Sequence, residues 1–171
     1  MTSAIGHPVR SEFLVQIGDM TVSFALLELQ IQMLLEALIG EDQRLGQIIA
    51  SQLSFARLRA TVIGIYSERY GDDSNLHALR QLMKEAAEIE QERNRVTHSI
   101  WGVGTSSGTI TRIRLTCRER SGVQAQFEEY DEAKFLNFND RIKRLCNALL
   151  GFYTTLLQKA KTMNNAADEN R

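Results

Sequence analysis

Proline is nearly missing from this chain: one residue in 171, Pro8. Proline fixes φ and removes a backbone donor, so its absence beyond position 8 permits long helices with glycine as the main punctuation. Cysteine is as scarce. Cys117 and Cys146 have no framework spacing, which excludes a disulfide-stapled miniature fold and reads as free thiols in a reducing compartment. The three histidines (His7, His77 and His98) are far apart, and neither cysteine has a partner at ligand spacing, so no metal site and no other cofactor is expected. The longest apolar stretches are interrupted by Glu, Gln or Asp, so no segment is expected to span a bilayer. Residues 1–10 lack the apolar core of a signal peptide, and the expected location is the cytoplasm. An excess of one charge is missing too: a net charge of −1 argues against a protein that coats nucleic acid by bulk attraction.

What is present is helical patterning. The first helix is expected from just after Pro8 to about Ile39. Phe13, Ile17, Met20, Phe24, Leu27, Ile31, Leu34 and Leu38 form an unbroken heptad seam, and Gly40 is placed to stop it. Leu26, Leu29, Met33 and Leu35 widen the stripe. A second helix is expected from about Asp42 to Arg69, followed by turn and cap residues at Tyr70–Ser74, and a third from about Asn75 to Ser99. Gly102 to Gly108 reads as a flexible loop. The period then changes to two: Ile113, Leu115 and Cys117 alternate with Arg112, Arg114 and Thr116, and Val123, Ala125 and Phe127 alternate with Gln124, Gln126 and Glu128. This predicts a β-hairpin at about 109–128 with a turn over 118–122. An isolated hairpin is marginal in water, so its apolar face is expected against the helices. A fourth helix begins after Asp131 as N-cap, with Tyr130 and Phe135 at staple positions. Its seam is Phe135, Phe138, Ile142, Leu145, Leu149, Phe152 and Leu156. The predicted fold is therefore mostly all-α: four long helices in an up-down bundle with a β-hairpin between the third and fourth. One domain is expected over residues 1–163, with a flexible polar tail at 164–171. The first and fourth helices offer more apolar surface than one bundle core needs, which predicts a homodimer.

Chemistry concentrates in one stretch. Six arginines (93, 95, 112, 114, 118 and 120) face one acid, Glu119, between Arg93 and Arg120, while Glu85, Glu88, Glu90 and Glu92 lie just upstream. A solvated charged face is the plain alternative reading of this run. The glycine loop is not a phosphate loop, because a strand follows it and no lysine does. No serine stands in a nucleophile-elbow context. At the end of the third helix, Arg93-Asn94-Arg95-Val96-Thr97-His98 places a guanidinium on the apolar side, four residues after Ile89 and three before Val96. His98 lies about 140° further round an ideal helix, so the two do not share one face. Arg93 is expected either to pair with a carboxylate or to meet an interface or ligand, since burying it unpaired is costly. His98 is expected either to cap the last carbonyls or to serve a site.

At these residues the chain resembles the HEPN superfamily (higher eukaryotes and prokaryotes nucleotide-binding), helical bundles with an Arg-(Asn/Asp/His)-x(3–5)-His signature late in the third long helix. Arg93-Asn94-x3-His98 matches it, and the helix order extends the likeness loosely over most of the chain. The resemblance implies a homodimer with facing signatures and a metal-independent endoribonuclease, of toxin–antitoxin or abortive-infection type, with an antitoxin or immunity protein as a further partner. It implies His98 as general acid or base at the ribose 2′-hydroxyl or leaving oxygen, Arg93 against the phosphorane charge and Asn94 as an orienting group. Arg95, Arg112 and Arg114 are expected to hold the RNA backbone. The family also implies an alternative: a non-catalytic helical module that dimerises or binds RNA, nucleotide or protein.

Overall fold

The computed structural model describes residues 9–40, 43–118 and 122–168. Pro8 with the segment before it, the expected helix start at Asp42, the tip of the expected turn (119–121) and the last residues of the tail lie outside these. The chain is mostly helical with a small antiparallel sheet. Its order is α1 (Ser11–Ile39), α2 (Gln43–Ser51), α3 (Phe55–Tyr70), α4 (Ser74–Thr97), β1 (Ile100–Val103), β2 (Thr109–Arg118), β3 (Gly122–Asp131) and α5 (Glu132–Asp168). Two compact units are present, Met1–Phe24 with Glu90–Ile142 and Ala25–Ile89 with Lys143–Arg171.

Both heptad seams are core. Phe13, Met20, Phe24, Leu27, Ile31, Leu34 and Leu38 are buried on α1, and Phe135, Ile142, Leu145, Leu149 and Leu156 on α5. Among the described helices α1 is the one long and apolar enough, by length and composition alone, to cross a membrane; its seam is buried within the folded chain. Of the residues that widen its stripe, Leu35 is buried and Leu26 and Leu29 are exposed. At its C-terminus Gly40 adopts φ 108°, a conformation that favours glycine. Arg69 donates to the Leu38 carbonyl there.

The second predicted helix is two helices. Gln52 and Leu53 donate to the carbonyls of Ile49 and Ala50 at 3.2 Å, which tightens the end of α2, and Ser54 in extended conformation opens α3 as its N-cap. Its Oγ accepts from the Arg57 N–H at 3.4 Å. Neither proline nor glycine marks the break; a serine that competes for backbone donors suffices. The polar tail is shorter than expected, since the α5 backbone stays helical through Asp168.

The first unit carries the sheet, in the order β1-β2-β3. The segment expected as a loop from Gly102 contributes to β1, where Trp101 pairs with Arg112 and Val103 with Ile110. The reversal into β2 is tight: a Cβ on Gly104 would stand 2.1 Å from the Thr109 hydroxyl, so only glycine fits. The hairpin β2–β3 forms with Ile110 opposite Tyr130, Arg112 opposite Glu128 and Leu115 opposite Ala125. Its orientation reverses the expectation. Ile110, Arg112 and Tyr130 are buried, whereas Leu115, Val123 and Phe127 are 56%, 71% and 69% exposed. Side chains alternate across a strand, so one anchor fixes all the others. Ile110, Tyr130 and the neighbouring Trp101 occupy the inner face and turn the Ile113–Leu115–Cys117 series outward.

The second unit has a polar centre on Asp73. One carboxylate oxygen accepts the Leu76 N–H at 2.7 Å and caps α4. The other pairs with Lys159, and the Tyr66 hydroxyl donates to it at 3.3 Å. The lysine ammonium also lies 4.6 Å from the centre of the Tyr70 ring. The hydrogen bond from Lys159, above all, holds the Asp73 carboxyl below its ordinary range. The same bond raises Lys159. A carboxylate with a lowered folded-state pKa contributes full stability above its ordinary range and loses it as pH falls through the lowered value. The raised lysine contributes below its ordinary range and loses that as pH rises through the raised value. Asp73→Ala is expected to cost about 1–2 kcal/mol at neutral pH, mostly through the lost cap. In urea unfolding, the gap from wild type should narrow in acid; an unchanged gap would show that the ion pair contributes nothing.

Candidate functional site

The site is built where α4 ends, and the four carbonyls that precede that of Thr97 all have partners. Arg93 O accepts the Thr97 hydroxyl at 2.9 Å, Asn94 O the His98 N–H at 3.1 Å, Arg95 O the Ser99 hydroxyl, and Val96 O the Trp101 indole N–H at 3.0 Å. The backbone of His98, and not its ring, therefore does the capping, and the imidazole is left exposed. Trp101 is held in turn by an aromatic cluster. Its ring meets Tyr130 edge-on at 5.1 Å and lies 5.8 Å from Phe135, and Tyr130 and Phe135 are 5.3 Å apart, the staple expected at the start of α5. Asp131 caps that helix through the Lys134 N–H at 2.8 Å.

Two carboxylates set the local charge. Glu92 accepts the Tyr130 hydroxyl at 3.0 Å and pairs with Arg95 at 3.3 Å. Burial first, and the Glu92 charge second, push the Tyr130 phenol far above its ordinary value, so it is a fixed neutral donor. Glu128 pairs with Arg112 at 2.8 Å and with Lys134 at 2.5 Å. Burial opposes its ionisation, but Lys134 and Arg112 together prevail and hold the carboxyl below its ordinary range.

Arg93 lies half-buried with its guanidinium carbon 4.9 Å from the centre of the Phe24 ring. Its Nη1 donates to Asn94 Oδ1 at 3.0 Å, and its Nε is buried without a hydrogen bond. A cleft of about 450 Å³ opens on the other side of the helix end, lined by Asn94, Arg95, His98, Arg112 and Arg114, with Gln91 and Ser99. Five of the six residues singled out in the sequence thus line one cavity and Arg93 does not, as the helical angle between Arg93 and His98 foretells. Arg114 is exposed, whereas Arg112 is 9% exposed and neutralised by Glu128. The arrangement offers an exposed imidazole, a carboxamide and two accessible guanidiniums to an anionic ligand. Among the described residues no group of three or more His, Cys, Asp or Glu is placed to hold a metal ion.

Neither Glu128 nor Trp101 stands out as a site residue in the sequence alone. The pairing of Arg112 with Glu128 exists only in the register of β2 on β3. Trp101, the chain's one tryptophan, stands three residues after His98, and that was a usable signal. No family model, curated protein or solved structure matches this chain.

Trp101→Phe keeps a ring in the cluster but removes the donor to Val96. It is expected to lower stability by about 1 kcal/mol. Amide exchange at His98 and Ser99 should quicken. Unchanged exchange there would mean that the indole bond does not hold the helix end.

Proposed function

We propose that this chain is a metal-independent endoribonuclease of HEPN type that works as a cytoplasmic homodimer in a toxin–antitoxin or anti-phage setting. The observation that carries the reading is the cleft itself, which joins the exposed His98 imidazole to Asn94, Arg95, Arg112 and Arg114. The signature Arg93-Asn94-x3-His98 supports it by resemblance. The corresponding fold is an up-down bundle of four long helices, with α2 and α3 together in the place of the second.

The chemistry suits these groups. His98 takes the proton of a ribose 2′-hydroxyl as that oxygen bonds to phosphorus, and the P–O5′ bond breaks with a proton delivered to the leaving oxygen. An imidazole works near neutral pH, and nearby guanidiniums are most effective where phosphorane charge develops. The requirement for a 2′-hydroxyl confines the reaction to RNA. Arg93 is engaged by Phe24 and Asn94, so within one chain it positions the Asn94 carboxamide, and Arg95 and Arg114 are the cations nearest a phosphate in the cleft. That same engagement favours a second reading, a non-catalytic module that holds RNA in the cleft without cutting it.

Purified wild type is expected to cleave RNA without added metal, and His98→Ala to lose at least about 100-fold in rate, the usual contribution of a general acid–base group. Intact RNA with wild type, with and without divalent metal, would overturn the nuclease reading. Under either reading Arg114→Glu should weaken RNA retention and flatten its salt dependence. Retention indifferent to that charge reversal would remove RNA from the cleft.

A further inference from the structure

β1 covers less than half of the strand it pairs with. β2 has ten residues, and β1 takes four of them, Ile110 to Ile113. Successive residues of an antiparallel strand turn their N–H and C=O groups to alternate sides. Every second residue of Arg114–Arg118 therefore directs its backbone away from β3, and among the described residues no strand lies there to take those groups. Such an open edge is a template for another chain, and proteins usually blunt it. This one forms a notch in line with β1, beside the cleft that Ser99 and Arg114 help to line. Its two faces differ. Arg114 and Thr116 lie on the cleft side, and Leu115 and Cys117, with Ala125 and Val123 across from them, on the outer side. Arg114 is exposed and, unlike Arg95 and Arg112, has no carboxylate partner among the described residues.

We propose that this notch takes an extended segment of another protein, with acidic and apolar residues in alternation, as a strand added in line with β1. Main-chain hydrogen bonds to the open edge supply the affinity, and alternate side chains choose the partner. Opposite Arg114 and Thr116 the segment presents acids, at the mouth of the cleft that Arg95 also lines. Opposite Leu115 and Cys117 it presents hydrocarbon, which extends the outer apolar rows sideways. Charge selects this occupant over the alternatives. A second copy of the same edge brings Arg114 and Arg118 against their own kind, and like charges across a strand pair are unfavourable. A basic segment meets the same repulsion. The far edge of β3, which no described strand covers, does not compete for the acidic segment, because Glu128, Glu129 and Asp131 stand along it. Binding needs the backbone of β2 and Arg114, not the His98 imidazole, so it does not depend on whether the cleft cuts RNA.

The test titrates the whole chain, without RNA, into a fluorescein-labelled octapeptide of alternating glutamate and valine and follows fluorescence anisotropy. Binding is expected with a Kd of about 100 μM or tighter. The counterpart with lysine in place of glutamate should bind at least about 30-fold more weakly, and Arg114→Glu should raise the Kd of the acidic peptide about 10-fold or more. Arg114 is exposed, so circular dichroism should hold, and Arg114→Ala serves if a glutamate disturbs the hairpin. N-methylation of the peptide separates strand addition from bulk charge attraction. In an added strand the amides of one residue type face β2 and those of the other face away, so methylating one set should abolish binding and methylating the other should not. In the complex, amide exchange should slow at alternate residues of Arg114–Arg118 and stay unchanged on β3. No binding of the acidic peptide at about 1 mM would overturn the proposal. Equal binding by the two methylated peptides, or protection on β3 in place of β2, would do the same. Failure to cleave RNA bears on the ribonuclease reading alone.

Discussion

The bond from the Trp101 indole to the Val96 carbonyl sets where α4 stops and the sheet begins. A helix leaves its last carbonyls without partners, and here side chains and one backbone amide take those of Arg93 to Val96 within a few residues. The indole can do this because Tyr130 and Phe135 grip its ring, and Tyr130 is pinned by Glu92. Glu92 precedes the arginine of the signature, so the same residues that end the helix also brace the wall of the cleft. Stability and site therefore share one set of contacts, and the imidazole remains free of capping duty.

Much of the fold was legible because it rests on periodicity. The seams of α1 and α5 were read residue by residue from their 3-4 spacing, and the Asp131 cap with its Tyr130–Phe135 staple from local chemistry. The break between α2 and α3 was not legible, because Ser54 is a helix cap only if the chain already turns there. The short strand β1 was hidden by its glycine, since a four-residue strand exists only through its pairing with β2. The hairpin was foreseen, but its orientation was misread. Counting Ile113, Leu115 and Cys117 as the inner set overlooked Ile110 and Tyr130, which have the other parity and are nearly fully buried.

The candidate site was legible in the same uneven way. The resemblance of the Arg93–His98 signature pointed to Asn94, Arg95 and His98, and the helical angle alone separates Arg93 from His98. Composition pointed to Arg112 and Arg114 as equals, yet Glu128 neutralises the first and leaves the second accessible. That distinction depends on a cross-strand partner sixteen residues away, which no local pattern encodes.

β2 carries two incompatible messages on alternate residues: guanidiniums toward the cleft, hydrocarbon toward the outside. Its phase is set by Ile110 at one end and by the tight Gly104 reversal before it. Loss or gain of a single residue between them would turn the strand inside out, moving leucine and isoleucine into the cavity and arginine onto the outer surface. Paired changes that restored the phase would be nearly silent by comparison. Between Gly104 and Gly108, which the close approach to Thr109 and a φ of 82° respectively reserve for glycine, the loop is thus free to vary in composition but not in length, and its count of residues is as much a part of the site as any side chain that lines it.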